Sequence, residues 1–170
     1  VIHGSVFFIF FLSTLLLITS YEWIKMSKKK HFNKIFGVIF LIFSFYSAFQ
    51  LRNYAGLNFF LFIVLICIFT DIGGYIFGKI FKGPKLTKIS PNKTYSGAIG
   101  SFILPVIAGL VYTNHLGLPL SIIVQLKLSE ISNNYELTFL FFILTISIIS
   151  QIGDLIISYY KRIAKVKDTG

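Results

Sequence analysis

The 170-residue sequence predicts an all-α fold, a polytopic integral membrane bundle of about five transmembrane helices with the N-terminus outside. Three observations lead there. The composition is 55% hydrophobic and 13% charged, with 20 Phe and a mean hydropathy of +0.81, whereas a soluble domain is about a quarter charged. Apolar runs recur at about 4–24, 34–51, 57–80, 97–114 and 137–160, each close to the roughly 20 residues that cross the hydrocarbon as a helix. Finally, Lys and Arg are concentrated in alternate loops, as expected when short cytoplasmic loops hold the cations. The whole of 1–170 reads as a single membrane domain.

The first run, 4–24, begins the chain without a basic leader or an Ala-x-Ala type cleavage site, which argues for a span rather than a signal peptide. Because residue 1 is Val and Gly170 follows a charged cluster, the chain is expected to be a fragment. The cytoplasmic loop 25–33 follows, holding Lys25, Lys28, Lys29 and Lys30, with Lys34 opening the second run. The second and third runs, 34–51 and 57–80, flank a short outer loop containing Arg52. Cys67, the one cysteine, falls in the third run, so neither a disulfide framework nor a thiolate metal site is available, and it is expected to act as a small buried hydrophobe. A second cytoplasmic loop, 81–96, collects Lys82, Lys85, Lys88 and Lys93, with Lys79 just before it. The fourth run, 97–114, precedes an outer segment in which 116–124 is apolar, short and interrupted by Pro119, an expected re-entrant or interfacial piece. The fifth run, 137–160, ends in Lys161, Arg162, Lys165 and Lys167. Fourteen of the 16 cations thus lie on the side taken as cytoplasmic, leaving Arg52 and Lys127 outside. The net charge of +10 is explained by this topology and by attraction to anionic headgroups, and nucleic acid is not an expected partner.

Among the carboxylates inside apolar runs, where a charge at the bilayer centre costs about 2.5–3.5 kcal/mol, Asp71 and Asp154 stand out. Asp71 shares a helical face with Gly74 and Gly78, which leave room for a neighbouring helix or a ligand. Asp154 belongs to a polar stripe of Ser147, Ser150, Gln151, Asp154, Ser158, Lys161, Lys165 and Asp168, spaced by three or four residues. Headgroup snorkelling accounts for the lysines of that stripe but not for Gln151 or Asp154, so the stripe is expected to line a cavity open to the cytoplasm. The loop KISPNKTYSG, 88–97, is the segment able to close over it. Ser90, Asn92 and Thr94 bring hydroxyl and amide groups and Lys93 a point charge, at the start of a helix whose N-terminus favours anions.

Together these residues resemble the phosphatidate cytidylyltransferases, or CDP-diglyceride synthases. The resemblance rests on Tyr21-Glu22-Trp23, on Asp71-Ile72-Gly73-Gly74-Tyr75 with Gly78, and on Lys88 to Thr94 with Gly97. Its most specific part is Gly153-Asp154-Leu155, Ser158, Lys161-Arg162, Lys167-Asp168 and Gly170, which is similar to the opening of the family signature S-x-x-K-R-x-x-x-x-K-D-x-G. Tyr95 and Ser96 depart from the family's bulky residue and Glu, and Ser101 stands where a second Gly is common. The signature's continuation through P-G-H-G-G and D-R-x-D lies past Gly170, and with it part of the family's metal site, so the resemblance implies that this fragment alone is inactive.

The resemblance implies attack of a phosphatidate oxygen on the α-phosphorus of CTP, giving CDP-diacylglycerol and pyrophosphate in phospholipid biosynthesis. It implies Mg2+ as cofactor, with a second cation left open, held by Asp154 and Asp168. Asp154, Lys161, Arg162, Asp168 and Lys93 are the expected catalytic residues. Ser90, Asn92, Lys93, Thr94, Ser158, Lys165, Lys167 and Asp71 are the expected substrate-binding ones. The expected partners are CTP, phosphatidate, membrane lipids and a second copy in a homodimer, and the expected location is a bacterial cytoplasmic membrane with the site facing the cytoplasm. Two alternatives stay open. One is CTP-dependent transfer to another lipid phosphate. The other is an ion-coupled transporter using Asp71 and Asp154, against which stand the lack of an internal repeat and the position of both aspartates toward the expected cytoplasmic ends.

Overall fold

A computed structural model describes residues 2–27, 31–87, 90, 93–116 and 135–164. The backbone is helical through α1 (Ile2–Met26), α2 (His31–Phe81), α3 (Tyr95–Leu116) and α4 (Tyr135–Ala164). Among the described residues, all four helices are long and apolar enough to cross a membrane, and the chain is a polytopic membrane bundle. Large apolar side chains stand outward along them, with Phe7 73% and Phe10 72% exposed, an arrangement suited to lipid rather than water. The expected re-entrant segment 116–124 lies, apart from Leu116, outside the described residues.

α2 differs from the two-span expectation. The segment between the second and third apolar runs, expected to be a loop, stays helical up to Ala55, and only Gly56 leaves helical geometry (φ 85, ψ 167). That backbone conformation is open to glycine because no Cβ meets the neighbouring carbonyl. A straight helix of 51 residues would be about 76 Å long, more than twice the roughly 30 Å of hydrocarbon. The interruption falls between the two apolar runs.

Gly56 also marks the boundary of two compact units, residues 1–56 with 159–170, and residues 57–158. In the first unit α1 and the first half of α2 form an antiparallel pair. The Trp23 indole N–H donates to the Asn33 carbonyl at 3.0 Å, and the ring lies over Gly37, where any Cβ would collide with it. The Tyr160 ring meets Trp23 edge-on at 5.1 Å. Toward the other end of the pair, the Arg52 guanidinium sits 4.2 Å from the centre of the Phe8 ring, a cation–π contact that shields the charge.

The second unit packs the later half of α2 between α3 and α4. Against α4 it runs parallel with a constant offset of 77 residues. Phe62 stacks on Phe139, Ile66 and Ile143 are both fully buried and converge on Gly109, and the buried Thr70 hydroxyl donates to Ser147 Oγ at 3.1 Å across the same 77-residue separation. Against α3 it runs antiparallel through glycines. A Cβ on Gly97 would stand 2.7 Å from the Gly74 carbonyl oxygen, one on Gly100 would strike Phe77, and one on Gly74 would stand 2.6 Å from Ser101 Oγ. Small residues here allow backbones to approach as closely as helices can. Cys67, expected to be buried, is half-buried in α2.

Candidate functional site

A cavity of about 450 Å3 opens in the second unit where the glycine seam and the polar face of α4 meet. Asp71, Gly74 and Tyr75 of α2 form one side, Gly97, Ala98 and Ser101 of α3 a second, and Gln151, Asp154 and Ser158 of α4 a third, while Leu86, Ser90, Lys93 and Thr94 complete it from the connecting segment. The α2–α4 register gives its physical origin. Continuing the 77-residue offset one turn past Thr70 and Ser147 brings Gly74 opposite Gln151, so the side chain that filled each earlier layer is missing.

The described part of the segment between α2 and α3 is held by hydrogen bonds. It leaves α2 through Lys82 (φ 50) and Gly83 (φ 116), then returns on itself by Leu86 N–H to the Lys93 carbonyl (2.7 Å) and Tyr95 N–H to the Pro84 carbonyl (3.2 Å), with an antiparallel bridge between Lys85 and Thr94. Ser90 N–H donates to Thr87 Oγ1 at 3.1 Å and its carbonyl accepts from Lys93 N–H at 3.0 Å. Thr94 is the N-cap of α3, its hydroxyl accepting from Gly97 N–H at 3.1 Å. Ser96 hydrogen-bonds both Thr94, at 3.0 Å, and the Lys82 carbonyl. These bonds fix Lys93 at the head of α3.

Lys93 Nζ lies 2.6 Å from Asp154 Oδ2, an ion pair whose side chains are 26% and 53% exposed. Gln151, one turn earlier on α4, lines the same cavity, and its buried side-chain nitrogen has no hydrogen-bond partner.

Of the sequence-predicted site residues, the structure brings Asp71, Ser90, Lys93, Thr94, Asp154 and Ser158 to one cavity. Lys161 and Arg162 stand in the last turn of α4, assigned to the other compact unit, and do not line it. Asn92, Lys165, Lys167 and Asp168 lie outside the described residues. One expectation is modified. Ser147, read as part of a cavity-lining stripe, is fully buried against Thr70, because the layer above the missing side chain is still closely packed. Thr94, expected to bind substrate, lines the cavity, and its hydroxyl also caps α3. Sequence reasoning placed Lys93 against phosphate and Asp154 against metal but did not pair them with each other. Mg2+ is commonly held by one or two carboxylates together with substrate phosphates, and Asp71 with Asp154 fits that donor set. No group of three or more His, Cys, Asp or Glu forms an all-protein cage among the described residues.

A sequence model of the cytidylyltransferase family matches residues 1–170, the whole chain. The chain belongs to that family. It is 38% identical over 116 residues to a phosphatidate cytidylyltransferase of Staphylococcus haemolyticus (68% of this chain, 39% of the relative). It is 37% identical over 118 residues to that of Staphylococcus saprophyticus (68% and 39%). It is 35% identical over 136 residues to that of Brucella suis (76% and 45%). These aligned stretches span about two fifths of the length of the curated relatives. No solved structure matches the chain.

Proposed function

We propose that the chain takes part in CTP-dependent cytidylyl transfer to phosphatidate at the cavity lined by Lys93 and Asp154. The carrying observation is the ion pair itself, a cation and a carboxylate set 2.6 Å apart in a chamber also lined by Asp71 and Gln151. The names of the relatives support phosphatidate as the acceptor and CTP as the donor.

The residues accord with this chemistry. A phosphomonoester has a second pKa near 6, so the attacking oxygen is already ionised at neutral pH and no protein base has to remove a proton. The new bond joins a phosphatidate oxygen to the α-phosphorus of CTP while the bond from that phosphorus to the α–β bridging oxygen breaks, releasing pyrophosphate. The difficulty is the approach of two polyanions, and the residues that answer it are cationic. Lys93 exchanges Asp154 for a phosphate oxygen, a charge-assisted contact made without moving the backbone. Lys161 and Arg162 are further phosphate ligands in this proposal, Arg162 being able to bind two oxygens at once. Asp154, with Asp168 and with Asp71 as a supporting or second-cation ligand, would hold Mg2+, which supplies charge neutralisation on the transferring group. Ser90, Asn92, Thr94, Ser158, Lys165 and Lys167 complete substrate binding in the same proposal. The location that follows is a bacterial cytoplasmic membrane, crossed five times with the N-terminus outside, the cavity facing the cytoplasm where CTP is found.

The test is incorporation of CTP labelled in its α-phosphate into chloroform-soluble lipid. The membranes would carry the chain extended past Gly170 with the matching segment of the S. haemolyticus relative. Label in lipid only when phosphatidate and Mg2+ are both supplied is the expected result. A folded, membrane-inserted protein that incorporates none overturns the proposal, and label that requires a different lipid phosphate reassigns the acceptor.

A further inference from the structure

Gln151 lies one helical turn, about 4.5 Å along the axis, from Asp154 on the inner side, between the ion pair and the closed Thr70–Ser147 layer. Its side-chain nitrogen is buried, lines the cavity and has no partner. A buried donor without an acceptor is destabilising, whereas an apolar side chain of the same size at that position would leave nothing unsatisfied. The register places Gly74, which has no side chain, across from Gln151. The donor therefore lines the cavity with no acceptor supplied by the described residues.

The charges around that space select what fills it. Asp71 and Asp154 both line the cavity, and Lys93, the one cation among its described lining residues, is drawn to Asp154. An anionic oxygen is drawn to Lys93 and to the cation that Asp154 and Asp71 would hold, which leaves the Gln151 amide, one turn past Asp154, to a neutral acceptor. We infer that Gln151 is a substrate-binding residue whose side-chain amide donates a hydrogen bond to a neutral carbonyl oxygen of a substrate bound beneath the Lys93–Asp154 pair. The inference rests on the cytidylyl-transfer proposal, whose two substrates offer two such oxygens: the C2 carbonyl of the pyrimidine ring and the ester carbonyls of the diacyl lipid. Phosphates remain at the level of Lys93, and Gln151 recognises the neutral part of whichever substrate reaches the inner end.

The experiment compares wild type with Gln151→Leu in the extended, detergent-purified protein. It measures melting temperature without substrate and equilibrium binding, in Mg2+, of CTP, tripolyphosphate, diacyl phosphatidate and its dialkyl ether analogue. The expected result is a melting temperature equal to or above wild type, together with roughly tenfold weaker binding of one carbonyl-bearing substrate, the size of one lost hydrogen bond. If CTP weakens while tripolyphosphate does not, the carbonyl belongs to the base. If diacyl phosphatidate weakens while the ether lipid does not, it belongs to the ester. Unchanged affinity for both substrates overturns the inference. So does a lowered melting temperature with all four ligands weakened in parallel, the mark of a packing role. Absence of label transfer in wild type is a separate reading and overturns the transfer proposal, whatever the binding ratios show.

Discussion

Adding a single methyl group at Gly97 tests how the cavity is built. The Cβ of Gly97→Ala would stand 2.7 Å from the Gly74 carbonyl oxygen, with Thr94 Oγ1 at 3.3 Å and Gly78 Cα at 3.4 Å. Ordinary contact begins near 3.4 Å, so α3 and α2 have to separate by about 0.7 Å. The obstructing atom belongs to a helical backbone and cannot rotate away as a side-chain tip would. Overpacking of this kind costs about 1–3 kcal/mol. Thermal unfolding in detergent should show a clear loss of melting temperature. The functional effect follows from the connectivity. Lys93 is held at the head of α3 by the Thr94 cap and the Leu86–Lys93 backbone bond, so displacing α3 displaces the cation relative to Asp154. Misplacement by about 1 Å can lower a rate about 100-fold, and lipid labelling should fall at least tenfold. Gly153→Ala is the matched control for stability. Its Cβ would meet nothing within 4 Å, so the substitution gains helix propensity, up to about 1 kcal/mol, and raises the melting temperature. Gly97→Ala with the melting temperature and labelling of wild type would show that the helices are not in the close contact described and would refute the reasoning.

Two further predictions concern the polar layers. Lys93→Met and Asp154→Asn each remove the ion pair. Because that pair is partly exposed, its contribution to stability should be no more than about 1 kcal/mol, while labelling of lipid should fall about 100-fold or more, as when a group that stabilises transition-state charge is removed; a large loss of melting temperature with little loss of labelling would make the pair a structural contact. Thr70→Val leaves Ser147 Oγ without its buried donor. It should destabilise by about 0.6 kcal/mol, the average for interhelical bonds in membranes, with part of that recovered in the Thr70→Val, Ser147→Ala double variant, and unfolding in graded denaturant measures both.

Much of the site was legible in the sequence because helical periodicity is local. Asp71 with Gly74, and Gln151 with Asp154 and Ser158, share faces by spacing alone, and in the structure all five line one cavity. The segment around Ser90 and Lys93 was readable as a polar interruption between two apolar runs. The pairing of Lys93 with Asp154 was not readable, since it joins residues 61 positions apart whose approach depends on how α3 and α4 flank α2. Ser147 looked like its neighbours on the stripe, and only Thr70 across the interface made it a packing residue. Trp23, part of the Tyr21-Glu22-Trp23 motif, has a physical role that only Asn33 and Gly37 reveal. The expected loop at Gly56 was read from a gap in hydropathy, whereas the residues before it keep their helical hydrogen bonds and only the glycine departs.

By itself, then, the sequence determined the class of structure. A chain with this density of Phe, Ile and Leu and so few charges satisfies its backbone inside a bilayer by forming helices, and the spacing of its rare polar residues decides which faces of those helices avoid lipid. Which polar groups become partners was decided only by tertiary structure. The 77-residue register between α2 and α4 closes the layers at Phe62, Ile66 and Thr70 and leaves the layer at Gly74 open. The physical reason is that register is a property of two surfaces meeting. Where both surfaces present side chains they exclude ligand, and where one presents hydrogen there is a cavity, with Gln151 left to find its hydrogen bond elsewhere.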